Sequence, residues 1–404
     1  MTYDFNKKKS SNKNFNSKNQ NQKKYTLNKE NNDNKENKTN KKTNQSNSYN
    51  KFNKKTEKTN IFQKNNKNKI QNNTYNQNFK TQKNNQFKIN NSNKDNNFFE
   101  IKYDSIFGKG TFFKLLKEQR ELKNNQFIRI NLSKTSKDNV INFLNKNRVK
   151  YSQTFLENCL KIEKSFFSLS SAYPSLTGQI YLQDLASQVV INSIGFEELK
   201  KLNKKITILD MCSSPGSKTT QLSDKLKFLN IEHEIIALEP QEKRIQKLIN
   251  NIQKQNCENI KIFQTTAQEF NSSKTFDLII VDAPCSGNLI GDSNWLKKRN
   301  QKGIEENSKI QKEILNKVKK LANKNSQIIY STCSLEIEEN EENIEYAIKK
   351  LNLKTESIKL KIPFNTNPII KYNNKTYDKQ ILNAIRFMPY ESKTEGFFIC
   401  KLKL

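Results

Sequence analysis

ITILDMCSSPGSKTTQLSDKL, residues 206–226, sets a short apolar run against a polar turn and a segment with helical spacing. The run 206–209 is too short for a helix and reads as a buried strand. Pro215 and Gly216 interrupt it, and KTTQLSDKL resumes as a helix. The unit then recurs. EIIAL (234–238) precedes the helical KRIQKLINNIQKQN, and IKIF (260–263) and DLIIV (277–281) are further strands. IQKEILNKVKKLANK reads as a long helix, and SQIIYSTCS (326–334) as another buried strand. Strands alternating with helices predict an α/β fold with a parallel sheet covered on both faces. Ligands in such sheets bind beyond the carboxyl ends of the strands.

Upstream the pattern is smaller. GTFFKLLKEQREL (110–122) has helical spacing, QFIRINLSK (126–134) alternates like a strand, and KDNVINFLNKNRV (137–149) is an amphipathic helix. These predict a small α/β domain over 99–175, before a main domain over 176–404. TGQIYLQDLASQVVINSI (177–194) passes from a short strand into a helix. Residues 1–98 are different material, rich in Asn, Lys, Gln, Ser and Thr, as in NKKKSSNKNFNSKNQNQKKY. So few apolar side chains cannot offset the entropy of ordering, so a disordered tail is expected.

The net charge is +32, from 72 Lys+Arg against 40 Asp+Glu. The tail holds 23 Lys and six acids, giving +17 and leaving 32 − 17 = +15 for the rest. Charge of this size favours polyanionic partners, nucleic acid first, although Lys- and Asn-rich composition alone also produces it. The tail can add RNA affinity without sequence preference, or be dispensable. Six cysteines without a CxxC pair argue against a zinc knuckle or a disulfide framework, and no metal is implied. No apolar run reaches the roughly 18 residues of a membrane span, and no signal peptide follows Met1.

Chemistry concentrates at strand ends. Gly216 lets the chain of LDMCSSPGSKT (209–219) turn close to a ligand, and the following helix offers free N–H groups. GxGxxG and the P-loop pattern are both absent. Glu239, twenty-three residues after Gly216, ends the second strand, where a carboxylate can accept bonds from two ribose hydroxyls. The bland alternative is a solvated strand-end acid. In FDLIIVDAPCSG (276–287) a strand ends by presenting Asp282 and Cys285 together. A Cys–His nucleophile is nearly closed as an explanation, because the chain holds one histidine, His233, expected at the surface. Trp295 either stacks on a flipped base or packs its loop.

LDMCSSPGSKT, VDAPCSG (281–287) and STCSL (331–335), with EENE at 338–341, resemble motifs of the Sun/Nop class of RNA cytosine-C5 methyltransferases, typified by the bacterial Fmu/RsmB enzymes. GQIYLQDLAS (178–187) and RFMPYESKTEGFFICKL (386–402) are similar to its helix-leading and closing motifs, so the resemblance covers roughly residues 100–404. It implies a Rossmann-like class I methyltransferase sheet, a small N-terminal α/β domain that binds RNA, and S-adenosylmethionine as cofactor. It implies Cys333 as the nucleophile at cytosine C6, Asp282 holding the base at N3, Cys285 assisting enzyme release, and Lys218 favouring the thiolate. The cofactor would be held by Cys212, Ser213, Ser214, Pro215, Gly216, Ser217, Lys218, Glu239, Thr266 and Asp282. Two departures stand out. Ser217 replaces a second glycine, which requires negative φ there, and Thr266 stands where an aspartate often contacts adenine. Cys159, Cys257 and Cys400 lack acid neighbours and, with Cys212 behind a buried strand, read as structural.

The expected partner is rRNA or tRNA, the expected state a monomer, and the compartment the cytoplasm in a bacterium or the nucleus and nucleolus in a eukaryote. Two alternatives remain open: a catalytically silent RNA-binding or ribosome-assembly protein, and methylation of a protein or small molecule by the same sheet.

Overall fold

Six consecutive side chains from Phe276 to Val281 are buried, and only Asp282 at the end of that strand is part-exposed. A strand dry on both faces belongs at the centre of a covered sheet. The computed structural model describes residues 2–5 and 94–404. They begin with β1 (Thr2–Phe5), α1 (Lys94–Phe107) and α2 (Thr111–Glu121). A small region follows, made of β2 (Gln126–Ile130), α3 (Lys137–Lys146), β3 (Lys150–Gln153), β4 (Cys159–Lys164), α4 (Tyr173–Leu176) and β5 (Ile180–Leu182). Helices α5 (Leu185–Asn192) and α6 (Phe196–Lys201) lead into β6 (Ile206–Asp210), α7 (Ser217–Phe228), β7 (His233–Leu238), α8 (Glu242–Lys254) and β8 (Ile260–Phe263). Next come β9 (Phe276–Asp282), α9 (Trp295–Lys298), α10 (Gln301–Leu321), β10 (Ala322–Thr332), α11 (Glu341–Leu351) and β11 (Lys354–Glu356). A hairpin, β12 (Lys371–Tyr372) and β13 (Lys375–Thr376), precedes β14 (Ile385–Phe387), α12 (Pro389–Ser392) and β15 (Phe397–Lys403).

The main sheet runs β1-β8-β7-β6-β9-β10-β15-β11, with β14 also on β15. From β8 to β10 in that order the strands are parallel, as expected. The antiparallel additions β1, β15, β11 and β14 were not anticipated, because edge and closing strands carry no helix crossover in the sequence. From β6 the chain steps outward to β7 and β8, then returns to β9 and β10 on the other side. The strand order therefore reverses between β6 and β9, where open α/β sheets bind ligands. Alternation along each strand feeds two apolar layers. Leu278 and Ile280 pack with Leu222 and Leu248, while Ile279 and Val281 pack with Ile314, Val318 and Ile344.

The small antiparallel sheet has the order β3-β4-β2-β5, with Val140 and Leu144 of α3 over Ile128, Leu160 and Ile180. Leu182 pairs with Ile128, so this sheet includes residues 180–182, which the sequence boundary at 175/176 assigned to the main domain. Phe99, Tyr103, Phe112 and Leu115 of α1 and α2 join Leu289, Trp295, Ile304 and Leu335 in a separate cluster over the loop that follows β9. The tail expected over 1–98 lies outside the described residues, except that Thr2–Phe5 forms a strand on β8 and α1 starts at Lys94. His233 also differs from expectation. It is the first residue of β7, whose alternating burial turns it inward to 5% exposure, and its Nδ1 pairs with the Ile231 carbonyl at 2.9 Å.

Arg386 on β14 is buried, donating Nε to Glu341 at 2.9 Å and Nη1 to the Leu335 carbonyl at 2.9 Å. Its Nη2 completes a fork on Glu341, which is also fully buried. Removing one member of such a pair leaves the other charge uncompensated. Glu341→Leu is expected to destabilise the fold by about 3–5 kcal/mol, measured by urea unfolding.

Candidate active site

The loops after β6, β9 and β10 converge at the carboxyl edge of the sheet. Ser331 of β10 stands opposite Asp282 of β9, so the segments leaving these strands start level with each other. Cys285 and Cys333 follow, and their sulfurs lie 3.4 Å apart. Ser331 donates its hydroxyl to Asp282 Oδ1 at 2.9 Å. Lys218, in the first turn of α7, places Nζ 2.8 Å from Asp282 Oδ2 and 5.3 Å from the centre of the Phe397 ring. Two thiols, a carboxylate and an ammonium thus share one corner of the molecule.

Buried polar contacts hold the two loops. Glu339 accepts the Ser286 N–H at 2.9 Å and its hydroxyl at 2.7 Å. Gln311 donates to the Pro284 carbonyl at 2.8 Å, and Asn288 to the Cys333 carbonyl at 2.7 Å. The hydroxyls flanking Cys333 serve the turn: Thr332 donates to Asn340 at 2.6 Å, and Ser334 accepts the Glu336 N–H at 3.1 Å. Trp295 packs. It is 2% exposed, its ring centre lies 4.7 Å from that of Phe99, and its indole N–H donates to the Ser286 carbonyl at 2.8 Å. It is not free to stack on a base.

Beside this corner opens a cavity of about 510 Å³. Of the residues expected to hold a cofactor, Cys212, Ser214, Glu239, Thr266 and Asp282 line it, together with Cys285 and Cys333. Arg244, Gln268, Ile310 and Ile314 are also in the wall. The sequence reading missed these, since a helical Arg or Ile or a turn Gln gives no signal of its own. The remainder of the glycine loop does not line the cavity. Ser213 bonds the Leu238 carbonyl through both N–H and hydroxyl, and the Pro215 carbonyl accepts from Asn251 at 2.9 Å. Gly216 has φ +106°, and a Cβ there would meet Leu248 at 2.8 Å, so both conformation and space demand glycine. Ser217 is not among the positive-φ residues, which satisfies the condition for replacing glycine. Glu239 is 2% exposed, and one oxygen takes the Gln241 N–H at 2.9 Å while the other lies 3.4 Å from Arg244 Nε. A carboxylate has lone pairs beyond those two contacts. Thr266 caps its own turn, donating to Glu269 at 2.8 Å. An acid at a strand end, apolar walls and two sulfurs in the lining fit an adenosine-type group.

A second cavity of about 440 Å³ lies between the small sheet and the catalytic loops, lined by Gln126, Phe127, Asp184, Ile290, Gly291 and Glu395 among others. Burial raises the carboxyl pKa of both Asp184 and Glu395, and Glu395's charge adds to the rise at Asp184. Both fall inside quoted motifs but were not singled out, as their meeting is a tertiary event.

The hydrogen bond to Cys333, then burial, raises the Cys285 pKa well above that of an ordinary thiol, so Cys285 keeps its proton. Burial pushes Cys159 and Cys257 up to about 12 and also raises Cys400 and Cys212. At Lys218 burial works against the charge, but Asp282 and the two thiols outweigh it and leave the pKa raised. Burial, reinforced by Asp282 and opposed by the Thr219 hydrogen bond, pushes Asp210 up to about 6. Among the described residues, no group of three or more His, Cys, Asp or Glu could hold a metal ion, and no helix is long and apolar enough to cross a membrane.

A family model described as 16S rRNA methyltransferase RsmB/F matches residues 198–403. Over 238 residues the chain is 31% identical to a tRNA (cytosine(72)-C(5))-methyltransferase of Pyrococcus horikoshii, covering 58% of this chain and 55% of that protein. Over 235 residues it is 27% identical to the 28S rRNA (cytosine(4447)-C(5))-methyltransferase of Homo sapiens, covering 56% of this chain and 28% of that protein. The chain thus spans about half, or less, of the length of these curated relatives. NSun6 from Pyrococcus horikoshii, solved with SFG, has the same fold, with a TM-score of 0.64 at 23% identity over 75% of this chain and 97% of that one. A methyltransferase homologue from the same organism gives 0.64 at 24% identity, covering 76% and 94%.

Asp210 supplies a pH test. Its folded value of about 6 exceeds the ordinary 3.8, so the folded state binds this proton more tightly than the unfolded state does. Its contribution to stability is therefore lost as pH rises from about 4 to about 6. Relative to wild type, Asp210→Asn is expected to gain up to about 3 kcal/mol between pH 4 and pH 7 in urea unfolding.

Proposed function

The chain belongs to the RsmB/F family of 16S rRNA methyltransferases, and on that premise we propose that it methylates cytosine C5 in structured RNA, rRNA first and tRNA second. The observation that carries this reading is the pair of sulfurs 3.4 Å apart beside the Lys218–Asp282 ion pair, in the wall of the cavity. S-adenosylmethionine, held by Glu239 and the residues around it, would supply an electrophilic methyl group.

Cytosine C5 is a poor nucleophile until a group adds at C6. Cys333 makes that bond through its sulfur, leaving enamine character at C5. Asp282 holds the base at N3, and Lys218 fixes the carboxylate from its other side. Cys285 shares a hydrogen bond with Cys333 and can donate to that sulfur as charge develops on it. Once Cys333 is bonded to carbon, it is a neutral thioether, and the contact that raised the Cys285 pKa is gone. Cys285 then gives its proton to solvent more readily, and as a thiolate it takes the C5 proton: the C5–H electrons form the C5=C6 bond and the Cys333–C6 bond breaks with its electrons returning to sulfur. No histidine is needed, and His233 lies at the opposite end of β7 from Glu239.

The small sheet is suited to RNA. Phe166, at 73% exposure, follows β4, and Lys164 Nζ lies 4.9 Å from the ring centre. Ile162 pairs with Gln126, which lines the second cavity, so β4 delivers Phe166 at the end of the sheet nearest the catalytic loops. An exposed ring beside a cation is the unit that stacks a base and contacts a phosphate in single-stranded RNA.

Cys333→Ala should abolish methyl transfer to RNA while sparing cofactor binding, and Cys285→Ala should accumulate a protein–RNA adduct that survives a denaturing gel. Turnover by Cys333→Ala would refute the mechanism. RNA binding without methyl incorporation by the wild-type chain, across rRNA and tRNA pools, would favour the silent RNA-binding alternative.

A further inference from the structure

Arg129, on β2 of the small sheet, is 3% exposed. Its Nη1 donates to Gln183 Oε1 at 2.6 Å and to the Ser217 carbonyl at 2.7 Å. Its Nη2 donates to Thr220 Oγ1 at 3.1 Å and to Gln255 Oε1 at 2.5 Å. The guanidinium also lies 5.1 Å from the ring centre of Tyr181, its partner across the strand pair. All four acceptors are neutral, and Nε has no hydrogen-bond partner. A buried cation without a carboxylate in contact is costly, and an apolar side chain would join two surfaces at no such cost. What the arginine adds is a planar fork that fixes direction on both sides at once.

Two of its contacts, Ser217 and Thr220, lie in the first turn of α7, the turn that also carries Lys218 to Asp282. We propose that Arg129 is a positioning residue for methyl transfer: it fixes the first turn of α7, and through it Lys218, in register with the small sheet on which RNA would dock. The proposal rests on the functional reading above. On this view the small sheet does more than bind substrate, because its docking frame and the group that orients Asp282 share one rigid joint. A displacement of about an ångström at a reacting centre costs up to a hundredfold in rate, so the joint acts on the chemical step.

The test uses the full chain and three variants: Arg129→Lys, which keeps the charge but loses the fork, Arg129→Met, which keeps length and packing, and Arg129→Ala, which leaves room for a guanidinium ion. Single-turnover methyl transfer at saturating RNA and S-adenosylmethionine is expected to fall about tenfold in Arg129→Lys and Arg129→Met. Dissociation constants for RNA and cofactor should stay within about threefold of wild type, while Arg129→Met should melt somewhat lower because its buried acceptors lose their donor. Millimolar guanidinium ion should restore rate to Arg129→Ala. A second readout does not need activity: acylation of Lys218 by an amine-reactive ester, followed by mass spectrometry, should speed up in Arg129→Lys and Arg129→Met. Saturated rates within about twofold of wild type, or losses confined to the dissociation constants, would overturn the proposal. A wild-type chain inactive on RNA would count against the functional reading, and the Lys218 labelling would still decide the joint: unchanged labelling rejects it.

Discussion

The register between β9 and β10 is the constraint on which the site depends. Ile279 faces Ile328, Ile280 faces Ile329, Val281 faces Tyr330, and Asp282 faces Ser331. Side chains alternate with period two, so a slip of one residue would send every apolar group to the wrong layer. Both layers are fully buried here, which makes that slip prohibitively expensive. The hydrophobic core therefore sets the level at which the two cysteine loops depart. The sulfur–sulfur distance is a consequence of packing far from either sulfur.

Packing alone leaves the loops free to splay. Glu339, Gln311, Asn288 and Arg386 remove that freedom by binding backbone groups of residues 284, 286, 333 and 335. Gln311 reaches in from α10 and Arg386 from β14, while Glu339 and Asn288 tie each loop to the other. Buried polar groups satisfied in this way specify one arrangement. Burial raises the pKa of Glu339, but Ser286 and Ser334 hydrogen bonds offset part of the rise. The hydroxyls of the STCS sequence thus mostly build the turn that presents the Cys333 sulfur.

Much of this was legible beforehand. Short apolar runs separated by helical spacing gave the central sheet, residue types at strand ends pointed to Asp282, Cys285 and Glu239, and the family resemblance pointed to Cys333. What escaped has a common physical form. Arg129 with Ser217, Arg386 with Glu341, and Asp184 with Glu395 are contacts between residues far apart in the chain, with no period to announce them. Trp295 and His233 were misplaced or left open for a related reason: burial by α1, or by a strand's own alternation, depends on neighbours that local composition does not reveal. The antiparallel β15 carries the GFF stretch of the closing motif, but strand direction is invisible in a motif.

The two cavities give the site a direction. One is walled by β6, β7 and β9 ends and has Glu239 at its edge, while the other is walled by the small sheet and the loop after β9. Asp282 and Lys218 lie between the two sets of residues, with Asp282 lining the first cavity and Lys218 close enough to Glu395 of the second to oppose the rise of its pKa. A donor bound on one side and a base brought in on the other would meet only at the sulfurs. That arrangement separates the two recognition problems: the sheet ends can be selected for a nucleoside-sized cofactor while the small sheet is selected for RNA. Separation carries a risk, since two binding surfaces that drift independently would misalign the reacting atoms. A rigid, directional joint between them is what such a division requires, and a buried guanidinium that binds both is a chemically specific way to build one.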